Sequence, residues 1–201
     1  MYIPGPFRVD DPEIIRQVVA ANPFAMLVSV QEGVPMATHL PVLLVQEEGQ
    51  DVLVGHVAKA NPHWQVFGST ALMVFAGPHG YVSPAWYETA PNVPTWNYVA
   101  VHAYGTPEIV EGDEALEHLR ELVNVFDPHL EKTNPESTEL EFLRKKMAGL
   151  VAFRMPVERW DAKAKLNQNK PESDRLAVRE RYLGSSDPHE RAMAEMMPGR
   201  S

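Results

Sequence analysis

The first half of the chain alternates short apolar segments with turn residues, a pattern that is typical of a β-rich domain. The predicted strands cover residues 24–30, 35–45, 51–57, 71–76 and 81–83. Tight turns are predicted at Glu32-Gly33 and over residues 46–50, because glycine allows the left-handed conformations of such turns. An acidic residue followed by Pro12 begins a predicted helix that ends near Asn22.

The second half combines a long strand with several helices. Residues 95–110 form a predicted strand with a bend at Gly105 or Pro107. The other predicted elements are helices over 113–126 and 136–147, the latter with a capping box at Ser137, a strand over 150–161 and a charged helical tail from 171. Short strands joined by tight turns, with helices outside them, indicate a small barrel: an α+β protein that is mainly β.

The long strand has an unusual face. Trp96, Tyr98, His102 and Tyr104 occupy even positions and therefore point to the same side, whereas Asn97 points to the other. Each of these rings carries a polar tip that needs a partner when it is buried. Two interpretations follow: the face lines a site for a flat aromatic ligand, or its rings cap the barrel core at an interface.

Two short segments contain candidate ligand-binding side chains. Lys59 lies between a predicted strand and a short helix that Asn61-Pro62 caps, a place where a cation and free N–H groups suit a phosphate. An ordinary capped turn with a surface lysine is the alternative. Thr38 and His39 interrupt an otherwise apolar strand, and His39 either donates to a ligand or bonds to a neighbouring carbonyl.

Composition narrows the classes of function. The chain of 201 residues has a net charge of −9, which opposes nucleic acid as a main partner, and no cysteine, which excludes thiolate chemistry. It has no apolar run of membrane-spanning length and no signal-peptide pattern, so we expect a cytoplasmic protein that does not bind membranes. Its eight histidines show no metal-ligand spacing, and the common nucleophile and nucleotide-binding motifs are missing.

Several segments together resemble the PaiB family, FMN-binding negative transcriptional regulators with a flavin-reductase-like split barrel. The matching segments are 1–4, 22–25, 38–41, 55–62, 77–87, 94–98 and 165–170. They extend over nearly the whole chain, and their order and joint presence are specific. Lys59 stands where an arginine is more usual and Asn167 where a serine is common, but neither difference removes a hydrogen-bond donor.

The resemblance implies a homodimer that binds FMN in clefts between its subunits. It places Lys59 and Asn61 at the phosphate, with His56 and Ala58 on the same strand end. FMN needs a cluster of cations or N–H groups for its phosphate and an apolar slot for its ring.

The resemblance also implies a set of residues near the flavin ring and ribityl chain. Thr38 and His39 would lie along the ribityl chain or the ring. Trp96 and Asn97 would approach the isoalloxazine, and Gln168 is a further candidate. We expect a split-barrel domain over residues 1–170 and a helical extension over 171–201.

The family description implies negative regulation of transcription. Because the sequence has no defensible helix-turn-helix and a negative net charge, we expect indirect regulation and no direct DNA binding. One alternative is an FMN-dependent oxidoreductase that acts on a small molecule. Another is a haem-binding or haem-degrading protein with His102 as a ligand. A third is a dimeric interaction module whose flavin site has decayed.

Overall fold

The computed structural model describes residues 1–199, and its strands form one sheet. The strands are β1 Phe24–Gln31, β2 Val34–Glu47, β3 Gln50–Ala58, β4 Ala71–Val82, β5 Thr95–Gly105, β6 Glu108–Val110 and β7 Leu150–Lys165. Their order in the sheet is β3-β2-β1-β4-β5-β7-β6. The edge strand β3 also pairs with β7 in an antiparallel register, so the sheet closes on itself as a barrel. The predicted class, α+β and mainly β, is confirmed.

Helices account for most of the remaining chain. The α-helices are α1 Pro12–Ala21, α2 Gly112–Phe126, α3 Leu130–Thr133, α4 Leu140–Met147, α5 Glu172–Leu183 and α6 Pro188–Met196. Short 3-10 helices cover Gly5–Phe7, Pro62–Val66, Pro84–Trp86 and Pro135–Thr138. No helix within residues 1–199 is both long enough and apolar enough to span a membrane.

Two tight hairpins connect the first three strands as predicted. Glu32 and Gly33 have φ values of 52° and 82°, and Glu48 and Gly49 have values of 50° and 85°. Positive φ at both central residues is the type I′ geometry, whose twist matches that of the flanking strands. These turns fix the register in which Gln31 pairs with Val34.

The chain divides into two compact units. One consists of Met1–Val18, Ala76–Val101 and the described part of Asp161–Ser201, and the other of Val19–Phe75 and His102–Trp160. The second unit buries apolar side chains from β1, β3, β4 and β7, including Leu27, Leu53, Phe75 and Phe153, all at 0% exposure. Burial of such side chains is the main favourable term for folding.

The first unit is organised around helices α5 and α6. Val178 and Tyr182 of α5 and Met193 of α6 are completely buried. The fully buried Asp174 of α5 accepts hydrogen bonds from the backbone N–H groups of Glu88 and Thr89 and from the Thr89 hydroxyl, at 2.6–3.0 Å. The loop that follows residue 87 is thereby tied to α5. The predicted domain boundary at residue 170 stays a prediction.

The structure corrects the boundaries of two predicted strands. Residues 71–76 and 81–82 belong to one strand, β4, because Gly77 and Gly80 allow close packing and do not break the strand, whereas Ser83 caps the 3-10 helix that follows. A Cβ on Gly77 would lie 3.1 Å from the Val99 carbonyl oxygen, and one on Gly80 would lie 2.9 Å from the Tyr182 ring. The predicted strand over 95–110, in contrast, is two strands in the structure. It is interrupted after Gly105, since Pro107 has no backbone N–H to donate to a neighbouring strand.

The predicted helix over 136–147 was wrong at its start. Residues 135–138 form a 3-10 helix and α4 begins at Leu140 with Glu139 at its N-cap, where no side-chain capping bond is made. The Thr138 hydroxyl instead donates to the Pro135 carbonyl at 2.8 Å, so the capping box is absent. The last strand also runs on to Lys165, four residues beyond its predicted end.

Candidate functional site

A buried hydrogen-bond network joins Thr38 of β2 to the turn after β3. His63 is completely buried; its Nδ1 lies 2.9 Å from the Thr38 hydroxyl and its Nε2 lies 3.0 Å from the Ser29 hydroxyl. Asn61 donates from its amide to Thr38 at 3.0 Å and accepts from the His63 N–H at 3.0 Å. Burial lowers the pKa of His63, so its ring is neutral near pH 7.

The network fixes the turn that presents Lys59. The Lys59 N–H donates to the Gly149 carbonyl at 2.8 Å, and its own carbonyl accepts from the Trp64 indole at 3.0 Å. The N–H groups of Asn61 and His63 are also bonded within the turn. The expectation of free N–H groups at this helix end was therefore wrong for these three residues, and the exposed Lys59 side chain is the donor that the turn offers.

A cavity of about 490 Å³ opens beside this turn, entirely within the second unit. Its walls come from β3, α2, α4 and the start of β7 and are largely apolar. The polar and aromatic side chains among its lining residues are His56, Lys59, Trp64, Glu111, His118 and Arg144. Ligand pockets typically measure roughly 300–1,000 Å³ and combine apolar walls with a few polar groups.

His56 is one of the residues that line this cavity. Its Nδ1 is buried and forms no hydrogen bond with any residue that the structure describes. Burial lowers the pKa of His56, so the ring is neutral near pH 7 and offers one donor and one acceptor nitrogen. A buried polar atom without a partner costs roughly 1–3 kcal/mol.

His39 and Ala58 lie away from the His63 network. His39 is exposed on the opposite face of β2 from Thr38, and its ring stacks on Phe24 with centroids 6.2 Å apart. Ala58 is exposed at the end of β3.

Trp96 and Asn97 occupy opposite faces of β5, as the alternation predicts. Asn97 is completely buried in the first unit beside Tyr182, and its amide makes no hydrogen bond of normal geometry with the described residues. Trp96 is 54% exposed and packs edge-to-face on Tyr81, with centroids 5.8 Å apart. The two side chains therefore offer different surfaces, one aromatic and open and the other polar and enclosed.

Cations from β7 cover other rings on the outward face of β5. Within the first unit, the Lys163 ammonium lies 4.9 Å from the centre of the Tyr98 ring. Within the second, the Arg159 guanidinium lies 3.9 Å from the centre of the Tyr104 ring. Such cation–π contacts satisfy the ring faces without a ligand.

Gln168 is engaged by its own turn. Its Oε1 accepts from the Leu166 N–H at 2.6 Å, and its Nε2 donates to the Ala164 carbonyl at 2.5 Å. The preceding residue, Asn167, has a φ of 62°, which is the left-handed conformation. The side-chain amide of Gln168 therefore stabilises a left-handed turn after β7.

Two solved structures share the fold of this chain. The structure superposes on the FAD and haem binding protein from Mycobacterium smegmatis with a TM-score of 0.64, over 85% of this chain and 78% of that one, at 18% identity. It superposes on the flavocytochrome Anf3 from Azotobacter vinelandii with a TM-score of 0.62, over 84% and 74% of the two chains, at 17% identity. The fold is that of the flavin-binding split barrels.

Sequence comparison decides the family. The family model described as "Putative FMN-binding domain" matches residues 1–159. The chain is also 37% identical to the Bacillus subtilis protease synthase and sporulation protein PAI 2, over 98% of this chain and 96% of that one. The chain belongs to the PaiB family of FMN-binding proteins. Its cofactor is accordingly a flavin.

The cavity of this PaiB-family chain fits a flavin phosphate and its polar linker. It supplies two cations, Lys59 and Arg144, the imidazole of His56, and an apolar wall. Sequence reasoning missed Arg144 and the buried His118. The signal for His118 was its place among Ala115, Leu119 and Leu122 on the apolar face of α2. No pattern in the sequence predicts that α4 and the end of β3 line the same cavity.

Proposed function

We propose that this protein is a homodimeric FMN-binding protein that regulates transcription indirectly. The observation that supports the proposal is the cavity beside the β3 turn, where Lys59, Arg144 and His56 lie beside an apolar wall. A phosphate ester on a polar chain matches that set of donors and walls. When bound, FMN supplies one- and two-electron redox chemistry at its ring.

Within this site the residues have separate roles. Lys59 binds the phosphate, and the neutral His56 exchanges a hydrogen bond with a hydroxyl group. Asn61 and Thr38 act mainly through the His63 network, because both side chains are already bonded there and hold the Lys59 turn in place. The proposed ring contacts of Trp96, Asn97 and Gln168 rest on the resemblance to the family, as does that of His39.

An uncovered apolar sheet face supports the homodimer. The outward side chains of β1 are Phe24, Met26, Val28 and Val30, and they are half-buried or exposed. Their partners across the β1–β2 and β1–β4 ladders are also mostly apolar: Pro41, Ala37, Pro35, Val74 and Leu72. A patch of this kind on a barrel indicates a protein interface, and a second copy of the chain is the occupant we propose.

The negative net charge of the chain supports regulation of transcription without direct DNA contact. The chain carries a net charge of −9, whereas DNA binding rests on clustered Lys and Arg that displace counterions from phosphates. The name of the B. subtilis relative, protease synthase and sporulation protein PAI 2, associates that protein with sporulation. We therefore propose that the flavin-loaded dimer acts on a protein or small-molecule partner. Salt-sensitive binding of the pure protein to a specific DNA fragment would overturn this.

Replacing Lys59 by alanine tests the flavin site. Loss of one charge-assisted contact should weaken FMN binding by about 1.5–3 kcal/mol, as measured by quenching of flavin fluorescence. Lys132→Ala, at an exposed position on α3, is the matched control and should leave the affinity unchanged. Equal FMN affinity in the Lys59 variant and the wild type would place the phosphate elsewhere.

The alternative functions stay predictions. An FMN-dependent oxidoreductase would show reduction of the bound flavin by a nicotinamide donor and turnover of a small substrate. A haem protein would show a Soret band after haem addition, and His102→Ala would remove it.

A further inference from the structure

Lys163 of β7 carries a buried positive charge that no carboxylate among the described residues neutralises. The residue is only 7% exposed, and its ammonium donates to the Tyr2 carbonyl at 3.3 Å and lies 4.9 Å from the centre of the Tyr98 ring. Asp161, two residues earlier on β7, is paired with the Met1 ammonium at 2.6 Å. A lysine ammonium has three N–H donors and is rarely buried without an anionic partner, so Lys163 favours an anionic ligand nearby.

Lys165 brings a second ammonium to the same side of β7, because residues two apart in a strand point the same way. Its ammonium donates to the Thr95 hydroxyl and makes no ion pair with the residues that the structure describes. Burial and the nearby charge of Lys163 lower the pKa of Lys165. The two cations therefore repel each other, and an anion bound beside them would relieve that repulsion. Lys165 is only half-buried, so a ligand can reach it from solvent.

An exposed aromatic surface lies next to these cations. Strands β5 and β7 are neighbours in the sheet, and Lys163 contacts Tyr98 whereas Lys165 contacts Thr95. Lys165 therefore reaches the start of β5, which carries Trp96. The Trp96 ring is 54% exposed and lies on the same outward face as Tyr98. An exposed indole beside two cations suits a ligand that combines a planar ring with a negative charge.

We infer that Lys163, Lys165 and Trp96 form a binding site for a small planar organic acid. Lys165 donates to the oxyanion group, a carboxylate or a phosphate, and Lys163 adds a second positive charge. The ring of the acid lies on the Trp96 indole. All three residues belong to the first unit, whereas the cavity proposed for the FMN phosphate belongs to the second, so this site goes beyond the proposed function. The family resemblance also brings Trp96 near the flavin ring, where such an acid would bind as a substrate.

The experiment measures the binding of four small molecules to the full chain by isothermal titration calorimetry. Benzoate and phenyl phosphate present the two oxyanion groups on the same planar ring, and the one that binds more tightly identifies the group. We expect that acid to bind with a Kd on the order of 1 mM. Benzamide lacks the charge and cyclohexanecarboxylate lacks the planar ring, so each should bind on the order of tenfold more weakly than benzoate.

Variants assign the binding to these residues. Lys165→Gln should weaken the binding of the tighter acid on the order of tenfold, and Lys165→Arg, which keeps the charge, should retain most of the affinity. Trp96→Leu should remove the preference for benzoate over cyclohexanecarboxylate. Lys132→Gln, at an exposed position on α3, is the matched control and should bind like the wild type.

Three results would each overturn the inference. They are a wild type that binds neither benzoate nor phenyl phosphate, an unchanged affinity in Lys165→Gln, and equal binding of benzamide and the tighter acid. Because Lys165 is half-buried, its variants should keep the wild-type melting temperature, so the decision does not require a substitution of the buried Lys163. None of these titrations needs a flavin, so their failure would leave the proposed FMN function standing.

Discussion

At the scale of single residues, the histidines show what sequence can and cannot reveal. His63 is a structural residue: it joins Thr38 and Ser29 in the barrel and gives no ligand a free nitrogen. His56 and His118 both line one cavity, and the Nδ1 atom of each is buried without a hydrogen-bond partner among the described residues. The partners of His63 lie 25 and 34 residues away in the sequence, and local patterns do not encode contacts of that range.

Asp174 leads to a prediction about stability and pH. Its burial alone would raise the pKa, but the bonds from Thr89 and Glu88 and the nearby Lys170 charge more than offset this and lower the pKa of Asp174. A carboxylate whose pKa is lower in the folded state stabilises that state at neutral pH, and the contribution is lost as pH falls through the folded value.

Asp174→Ala should therefore lower stability by roughly 3 kcal/mol at pH 7, because it removes three charge-assisted bonds and leaves their donors unpaired. In thermal unfolding this is a fall of about 6–12 °C. The difference in melting temperature between variant and wild type should become smaller below about pH 4, near the pKa of an aspartate in the unfolded chain. Asp10→Ala, at an exposed site, should melt like the wild type. A difference in melting temperature that stays constant from pH 7 to pH 3 would contradict a stabilising negative charge on Asp174.

At the scale of elements, the alternation of apolar residues and the Glu-Gly turns predicted β1, β2 and β3 closely, because both signals are local. The errors arose where long-range packing decided the outcome. Two strands were predicted over 71–76 and 81–83, but Gly77 and Gly80 lie within the single strand β4 and provide space for Val99 and Tyr182. The local spacing at Ser137 suggested a capping box, but Pro135 starts a separate 3-10 turn.

Gly105 at the end of β5 offers a direct test of such close packing. A Cβ at this position would lie 2.2 Å from the Pro156 carbonyl oxygen of β7, and a backbone atom cannot easily move away. Gly105→Ala should cost about 3 kcal/mol, measured by urea unfolding. Gly149→Ala, whose Cβ would lie 3.6 Å from its nearest neighbour, is the control and should change stability by less than about 1 kcal/mol. Equal midpoints for the two variants would show that β5 and β7 are not this close.

At the scale of the whole molecule, the candidate site combines residues of the barrel with residues of helices. The split barrel supplies β3 with His56 and Lys59, and the helices between β6 and β7 supply the remaining cavity wall. The sequence predicted the barrel residues of the cavity through the family motif. It did not predict the helical ones, because Arg144 and His118 lie outside the matched segments and are placed only by the packing of α2 and α4.

The apolar outward face of β1 leads us to expect a dimer. Wild type should behave as two 22.5 kDa chains in light scattering after gel filtration. Val28→Arg places a charge in the middle of this apolar face and should shift the protein to a monomer that keeps its circular dichroism spectrum. Val125→Arg, at a 59% exposed site on α2, should stay dimeric. A wild type that is monomeric at micromolar concentration would contradict the proposed interface.

The visible absorption spectrum of the purified protein tests the central claim most directly. The protein is mixed with excess FMN, freed of unbound flavin by gel filtration, and scanned alongside the Lys59→Ala variant. We expect the wild type to retain about one flavin per chain, with bands shifted from those of free FMN and quenched fluorescence, and the variant to retain much less. A wild type that emerges colourless, or a variant that retains as much flavin as the wild type, would contradict the assignment of the FMN site to the β3 turn.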